Sequence, residues 1–273
     1  MNQASRVLTT VEGGVAHVRL NRPEKRNGLD EAMFEALVAA GIDLSKRTDV
    51  RAVVLSGEGS AFCAGLDFMS FMAAGEAGKE RLLGRSHESP ANLAQRAAYV
   101  WIEVPVPVIA AIRGPAIGGG CQLALAADVR LVAADARFSV MEIKYGLIPD
   151  MSITQTLPRL VRFDVASELI YTGRIVAAEE AVAIGLATRL VADPVAEAHA
   201  LARAIAARSP EAIRAGKRLL REAHGLDPAA ALRLETDLQL PLLGSRNQLE
   251  AVQAAFAGRP AEFVDPSAPD EDA

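Results

Sequence analysis

Two glycine-bearing turns constrain this chain more than any other feature. One is Phe62-Cys63-Ala64-Gly65-Leu66-Asp67, and the other is Ala116-Ile117-Gly118-Gly119-Gly120-Cys121-Gln122-Leu123-Ala124. Each follows an apolar, strand-like run and leads into a helix-like run. Turns of this kind leave backbone N–H groups unpaired and aimed outward. Two of them converging on one point make an oxyanion hole, which stabilises a negative oxygen during chemistry on a carbonyl.

The rest of the chain alternates in the same way. Val15–Leu20 reads as a strand ended by Asn21-Arg22-Pro23, with His17 as a solvent-facing or hydrogen-bonded strand histidine. Helical spacing runs from Leu29 to Leu44, with Asp30 and Glu31 suited to its first turn. Ala52–Gly57, Val108–Ile112 and Asp128–Ala133 read as strands, Phe138–Val140 as a short one and Ala187–Val191 as the last. Asp67 is placed to start a helix. Residues 74–93 are polar and show no core pattern, so they are expected to be a mobile segment, a lid or a pocket wall. A helix is expected from Ala91 to Glu103, broken by Pro105 and Pro107. After Asp193-Pro194 helix formers dominate: 196–207, 210–224, a helix begun by Asp227-Pro228, and one from Ser245 to Phe256 with Gln248 completing a capping box. The expected division is a core over 1–195, a helical region over 196–263 and a disordered acidic tail over 264–273.

The bulk properties narrow the class. With 273 residues, 51% of them hydrophobic and only 4% aromatic, the core is filled by Ala, Val, Leu and Ile, as α/β packing expects. A net charge of −5 with interspersed signs argues against a general nucleic-acid binder. Two cysteines, Cys63 and Cys121, read as small buried thiols, and no metal site is expected without clustered histidines. His87, His199 and His224 are expected to be solvated. No signal-peptide pattern and no membrane-spanning run is visible, so a soluble, cytoplasmic protein that makes no membrane contact is expected.

Four runs carry a resemblance. Asn21-Arg22-Pro23-Glu24-Lys25-Arg26-Asn27, Phe62-Cys63-Ala64-Gly65, Gly114-Pro115-Ala116-Ile117-Gly118-Gly119-Gly120-Cys121 and Gly146-Leu147-Ile148-Pro149 resemble the signatures of the crotonase superfamily, the enoyl-CoA hydratase/isomerase family. They stand in family order over about residues 12–192, and weaker similarity extends to Phe263. The resemblance implies an α/β, ClpP/crotonase-like spiral of ββα units, with a helical C-terminal region that forms trimers, often paired into hexamers. It implies acyl-CoA thioester substrates and no cofactor, coenzyme A being part of the substrate. By position, the backbone N–H groups of Leu66 and Gly119 would form the oxyanion hole. Lys25 and Arg26 would meet the coenzyme A phosphates, although a solvated charge cluster serves equally. Ala64, Leu66, Asp67 and Gly118 would complete the substrate cleft.

The reaction depends on the acids around the acyl chain. Hydratases of the family hold water with two glutamates. This chain keeps one as Glu142 but has Gln122 at the other position, and an amide cannot exchange a proton usefully at neutral pH. After Gly146-Leu147-Ile148-Pro149 it carries Asp150, which resembles family members that shift double bonds. Glu142 and Asp150 are therefore the candidate proton-transfer groups, with Gln122 orienting substrate or water. Plainer roles exist for each: Asp150 as a helix N-cap, Glu142 as an exposed carboxylate, Gln122 as a core amide. The resulting expectation is an enoyl- or dienoyl-CoA isomerase, with a hydratase as the alternative and a non-catalytic acyl-CoA binder behind it. Met69, Phe71 and Met72 would line the acyl pocket or pack in the core.

Overall fold

The central strands of this chain are apolar on both faces, and the fold covers both. The structure, a computed structural model, describes residues 5–85 and 89–267. Strands β1 (Val7–Glu12) and β2 (Val15–Leu20) form an antiparallel hairpin around Gly13 and Gly14, both at positive φ. Helix α1 (Glu31–Lys46) leads to β3 (Ala52–Gly57), which pairs parallel with β2. After α2 (Phe68–Leu83) and α3 (Leu93–Glu103), β4 (Val108–Ile112) pairs parallel with β3. The chain then leaves this sheet as β5 (Pro115–Ile117), passes through α4 (Gly119–Leu125) and returns beside β4 as β6 (Val129–Val132). A second, smaller sheet forms from β5, β7 (Arg137–Ser139) and, beyond α5 (Leu157–Leu160) and α6 (Phe163–Thr172), β8 (Val176–Ala177). Helix α7 (Ala178–Ile184) connects to β9 (Arg189–Leu190), so the large sheet runs β1-β2-β3-β4-β6-β9.

Parallel strands need cover on both faces. On one face Val53, Leu55, Val108, Ala110 and Ile112 pack with Phe34 and Leu37 of α1 and with Trp101 of α3. Helices α1 and α3 touch closely at Gly41, where a Cβ would lie 2.5 Å from a Val100 methyl. On the other face α8 (Pro194–Ala206) presents Ala198, Ala202 and Ala206 to Val54, Ile109 and Leu131. In packing terms α8 is thus a layer of the core. The helices beyond it are α9 (Pro210–Glu222), α10 (Pro228–Gln239) and α11 (Arg246–Ala257). Among the described residues no helix is long and apolar enough to cross a membrane.

Several elements differ from expectation for physical reasons. Strand β1 escapes the apolar pattern because it is a Thr-bearing edge strand with only Val7 buried. The helix that Asp67 starts runs on to Leu83, into the segment 74–93 expected to be a mobile segment, lid or pocket wall, with Gly75 breaking its regularity at φ 59°, ψ −149°; Lys79, Leu82 and Leu83 do form a cavity wall. Helix α2 buries only Gly78 and Leu82, too narrow a stripe to show a period. Its Asp67 cap is as expected and accepts from the Ser70 N–H. Ser245 likewise accepts from Gln248 N–H, but the Gln248 side chain returns to Gly244 N–H, one residue before the cap. The tail expected to be disordered begins docked: Arg51 donates to Asp265 at 2.7 Å, and Asn247 accepts from Val264 N–H. Residues 268–273, and His87, lie outside the described residues.

Candidate active site

The two glycine turns are laced together. Cys63 N–H donates to Pro115 C=O and Ile117 N–H to Cys63 C=O, both at 3.0 Å. A Cβ on Gly120 would lie 2.2 Å from the Cys63 carbonyl oxygen. Gly65, at φ 86°, brings the turns closest: its Cβ would lie 2.6 Å from Ile117 O and 3.6 Å from Gly119 N. Only glycine accepts both the positive φ and that approach.

Neighbouring hydrogen bonds leave two amides over. Leu29 N–H donates to Gly65 C=O and Asp67 N–H donates to Leu29 C=O, a parallel bridge that skips Leu66 N–H. In the other turn Gly118 N–H donates to Ser139 C=O, and Gly119 then opens α4. Among the described residues neither Leu66 N–H nor Gly119 N–H has a backbone acceptor. Both residues line one cavity of about 370 Å³, together with Ala64, Gly118, Glu142 and Asp150. Its other walls are mostly apolar and include Phe34, Phe71 and Met151.

Glu142 opens a short 3₁₀ turn, Glu142–Tyr145, beside Gly118. A Cβ on Gly118 would lie 3.3 Å from Glu142 Oε1. Gln122 Nε2 donates to that oxygen at 2.6 Å, while Glu142 Oε2 is buried without a partner. Burial raises the Glu142 pKa above the ordinary carboxylate range, the Asp150 charge adds to this, and the Gln122 hydrogen bond opposes it. Desolvation pushes Asp150 in the same direction, although its residue surface is open to solvent on one side. The turn that follows Asp150 starts at Ser152 without a side-chain cap. Helix capping therefore does not account for Asp150.

Gln122 is not placed to touch a substrate. It is 1% exposed and does not line the cavity, and its carbonyl accepts from Met151 N–H at 2.8 Å. Gln122 thereby links Glu142 to the Asp150-Met151 segment, a buried position with no contact to the cavity in which it was expected to orient substrate or water. Asp67 also turns away from the cavity. It pairs with Arg22 at 2.8 Å, and against the cost of desolvation the Arg22 and Ser70 hydrogen bonds hold its pKa down at about 2. Lys25 and Arg26 are exposed, make no ion pair among the described residues, and do not line the cavity. The Arg26 carbonyl accepts from the N–H of Ala64, a cavity-lining residue, so the backbone that carries both cations adjoins the first glycine turn. Of the apolar trio, Phe71 lines the cavity, whereas Met69 and Met72 point outward at 82% and 73% exposure.

Sequence reasoning gave no role to Asn27, which is fully buried. Its side-chain amide donates to the carbonyls of Glu58, Ala61 and Phe62, and its own carbonyl accepts from Cys63 Sγ. Asn27 thereby fixes the strand end that feeds the first glycine turn. Its left-handed φ of 55°, favoured by Asn, was the available signal. His199 is also not solvated: its Nε2 lies 3.1 Å from His17 Nδ1, and His17 Nε2 meets Ser56 Oγ at 2.8 Å. Burial pushes the Cys63 thiol up to about 12 and Cys121 higher still, which leaves both thiols inert.

A fold with paired glycine turns beside a cavity that holds two carboxylates defines a class, and sequence comparison agrees. The enoyl-CoA hydratase/isomerase family matches residues 10–265, and this chain belongs to it. The mouse mitochondrial Delta(3,5)-Delta(2,4)-dienoyl-CoA isomerase is 33% identical, over 96% of this chain and 83% of the mouse protein. The short-chain-enoyl-CoA hydratase of Clostridium acetobutylicum is 30% identical, over 95% of this chain and 98% of its own length. The crystal structure of enoyl-CoA hydratase from Bacillus anthracis superposes with a TM-score of 0.88 at 30% identity, covering 94% of this chain and 98% of that one. The family fits isomerisation and hydration alike.

Proposed function

We propose that this protein isomerises double bonds of enoyl- or dienoyl-CoA thioesters. The Leu66 and Gly119 N–H groups hold the thioester oxygen, so that charge developing on it as an enolate is met by two fixed donors. Glu142 and Asp150 move the protons. Glu142, against Gly118, serves the α-carbon beside the thioester. Asp150, which lines the same cavity, serves the remote carbon. A Cα–H bond breaks and its proton passes to Glu142. The enolate electrons then return through the chain as a C–H bond forms with the Asp150 proton. Both carboxyls have raised pKa values, which suits groups that must give and take protons near neutrality.

The observation that carries this reading is a pair of amides without backbone acceptors among the described residues, on residues that line the same cavity as two carboxylates, while both ends of the Gln122 amide are hydrogen-bonded to protein groups. A two-glutamate hydration site has no second acid here. The reaction is redox-neutral and is written without a metal, so activity should persist in EDTA. Lys25 and Arg26, on the backbone that adjoins the first glycine turn, are suited to the phosphates of coenzyme A. The exposed Leu220, Leu232, Leu240 and Phe256 of the last helices support a homotrimer or hexamer, which light scattering would measure.

The test assays 3-enoyl-, 3,5-dienoyl- and 2-enoyl-CoA with wild type and Asp150→Asn. Isomerisation by wild type, lost in Asp150→Asn, is expected. Fast hydration of 2-enoyl-CoA that Asp150→Asn leaves intact would refute the proposal in favour of a hydratase.

A further inference from the structure

Asp150 lines a second cavity in addition to the one it shares with Glu142, and Glu142 does not line that second cavity. The second cavity, of about 430 Å³, is lined by the start of α3 and the segment 148–155 and by neither Leu66 nor Gly119. Its lining is mixed: Gln95, Tyr99, Ser152, Thr154 and Gln155 bring polar groups among Ile148, Pro149 and Ile153. The Ser152 hydroxyl donates to Gln95 C=O at 3.0 Å and ties the segment to α3 across this opening. Glu142 has no such outlet: one oxygen is held by Gln122, and the other is buried.

We propose that Asp150 exchanges its proton with bulk water through this second cavity, whereas Glu142 is sealed from solvent while an acyl chain is bound. The proposal rests on the isomerase reading above and gives its two carboxyls unequal parts. In each turnover Glu142 takes the α-proton and Asp150 delivers its own proton to the remote carbon. Asp150 then regains a proton from water through this opening, where Asp150, Thr154 and Gln155 are exposed. Glu142 releases the proton that it took once product has left the cavity. One proton enters and one leaves, and no other reactant is needed.

The test is isomerisation in D2O, with product and recovered substrate read by NMR. Wild type is expected to place one deuteron at the remote carbon of the product and none at the α-carbon of recovered substrate. Two variants alter the second cavity without touching the first: Thr154→Val with Gln155→Leu strips polar groups from its exposed rim, and Ala91→Phe fills it from its wall. In both, deuterium at the remote carbon is expected to fall severalfold, because Asp150 is then recharged internally by Glu142. Deuterium at the α-carbon of recovered substrate at the turnover rate would overturn the proposal. So would wild-type labelling in these two variants, including the case where they change only KM for long acyl chains because the tail occupies this cavity. If wild type isomerises nothing, the isomerase reading falls first and this proposal with it.

Discussion

Gln122 Nε2 lies 2.6 Å from Glu142 Oε1, and this contact sets the character of the site. The amide fixes one oxygen of the carboxylate and leaves the other free within the cavity wall. Because the Gln122 carbonyl also accepts from Met151 N–H, one buried side chain sets the spacing between the two carboxyl-bearing segments.

Replacing Gln122 by Leu should separate these effects. The hydrogen bond favours ionised Glu142, so its loss raises the Glu142 pKa. The base must be ionised to act, so the acid limb of kcat/KM moves to higher pH. The orphaned Met151 N–H should also cost about 1–3 kcal/mol of stability, measured by urea unfolding. An unmoved pH profile would mean that Gln122 is only packing.

Glu142→Gln should lower kcat by roughly 10²–10⁴-fold, the usual worth of a general base. It should also raise the thermal midpoint at pH 8. A carboxyl whose folded pKa is raised costs stability above that pKa, and the cost is relieved as pH falls through it. Activity loss without stabilisation would contradict the strained, desolvated state assigned to Glu142.

Gly65→Ala should lose both stability and rate. The new methyl would meet Ile117 O at 2.6 Å at a residue with φ 86°. About 2–3 kcal/mol of stability should go. The turns would part, and kcat/KM should fall on the order of 10²-fold. Wild-type kinetics in this variant would mean that the turns need not touch.

Acid should weaken the fold in two steps. His17 is held neutral by burial and by the neighbouring His199 and Arg19, with a pKa of about 4. The unfolded chain therefore binds a proton first, and stability falls between about pH 6.5 and 4. Asp67, at about 2, supports the fold above its unfolded value, and that support is lost as pH falls from about 4 to 2. His17→Gln should remove the first step, and Asp67→Asn should cost on the order of 2 kcal/mol at pH 7 and little at pH 2. Urea titrations across pH would show both.

The glycine turns were legible because Gly65 and Gly118 sit at positive φ, which the sequence signals by residue type. The buried strands were legible because they are apolar throughout. Helix α2 was hidden because it turns most of its surface, including Met69 and Met72, to solvent. The Gln122–Glu142 bond and the His17–His199 pair join side chains 20 and 182 residues apart, and no local pattern encodes such contacts. Asp67 looked like a cleft residue because it adjoins Leu66, but Arg22 draws it the other way.

The central claim is that Leu66 and Gly119 grip a thioester oxygen, and the vibration of that carbonyl reports it. Difference infrared spectroscopy of a bound acyl-CoA, ¹³C-labelled at the thioester carbon, gives the stretch directly. The account predicts a C=O frequency below that of the same ligand in water, reverting toward the free value in Gly65→Ala. A bound ligand with the frequency it has in solution would contradict it.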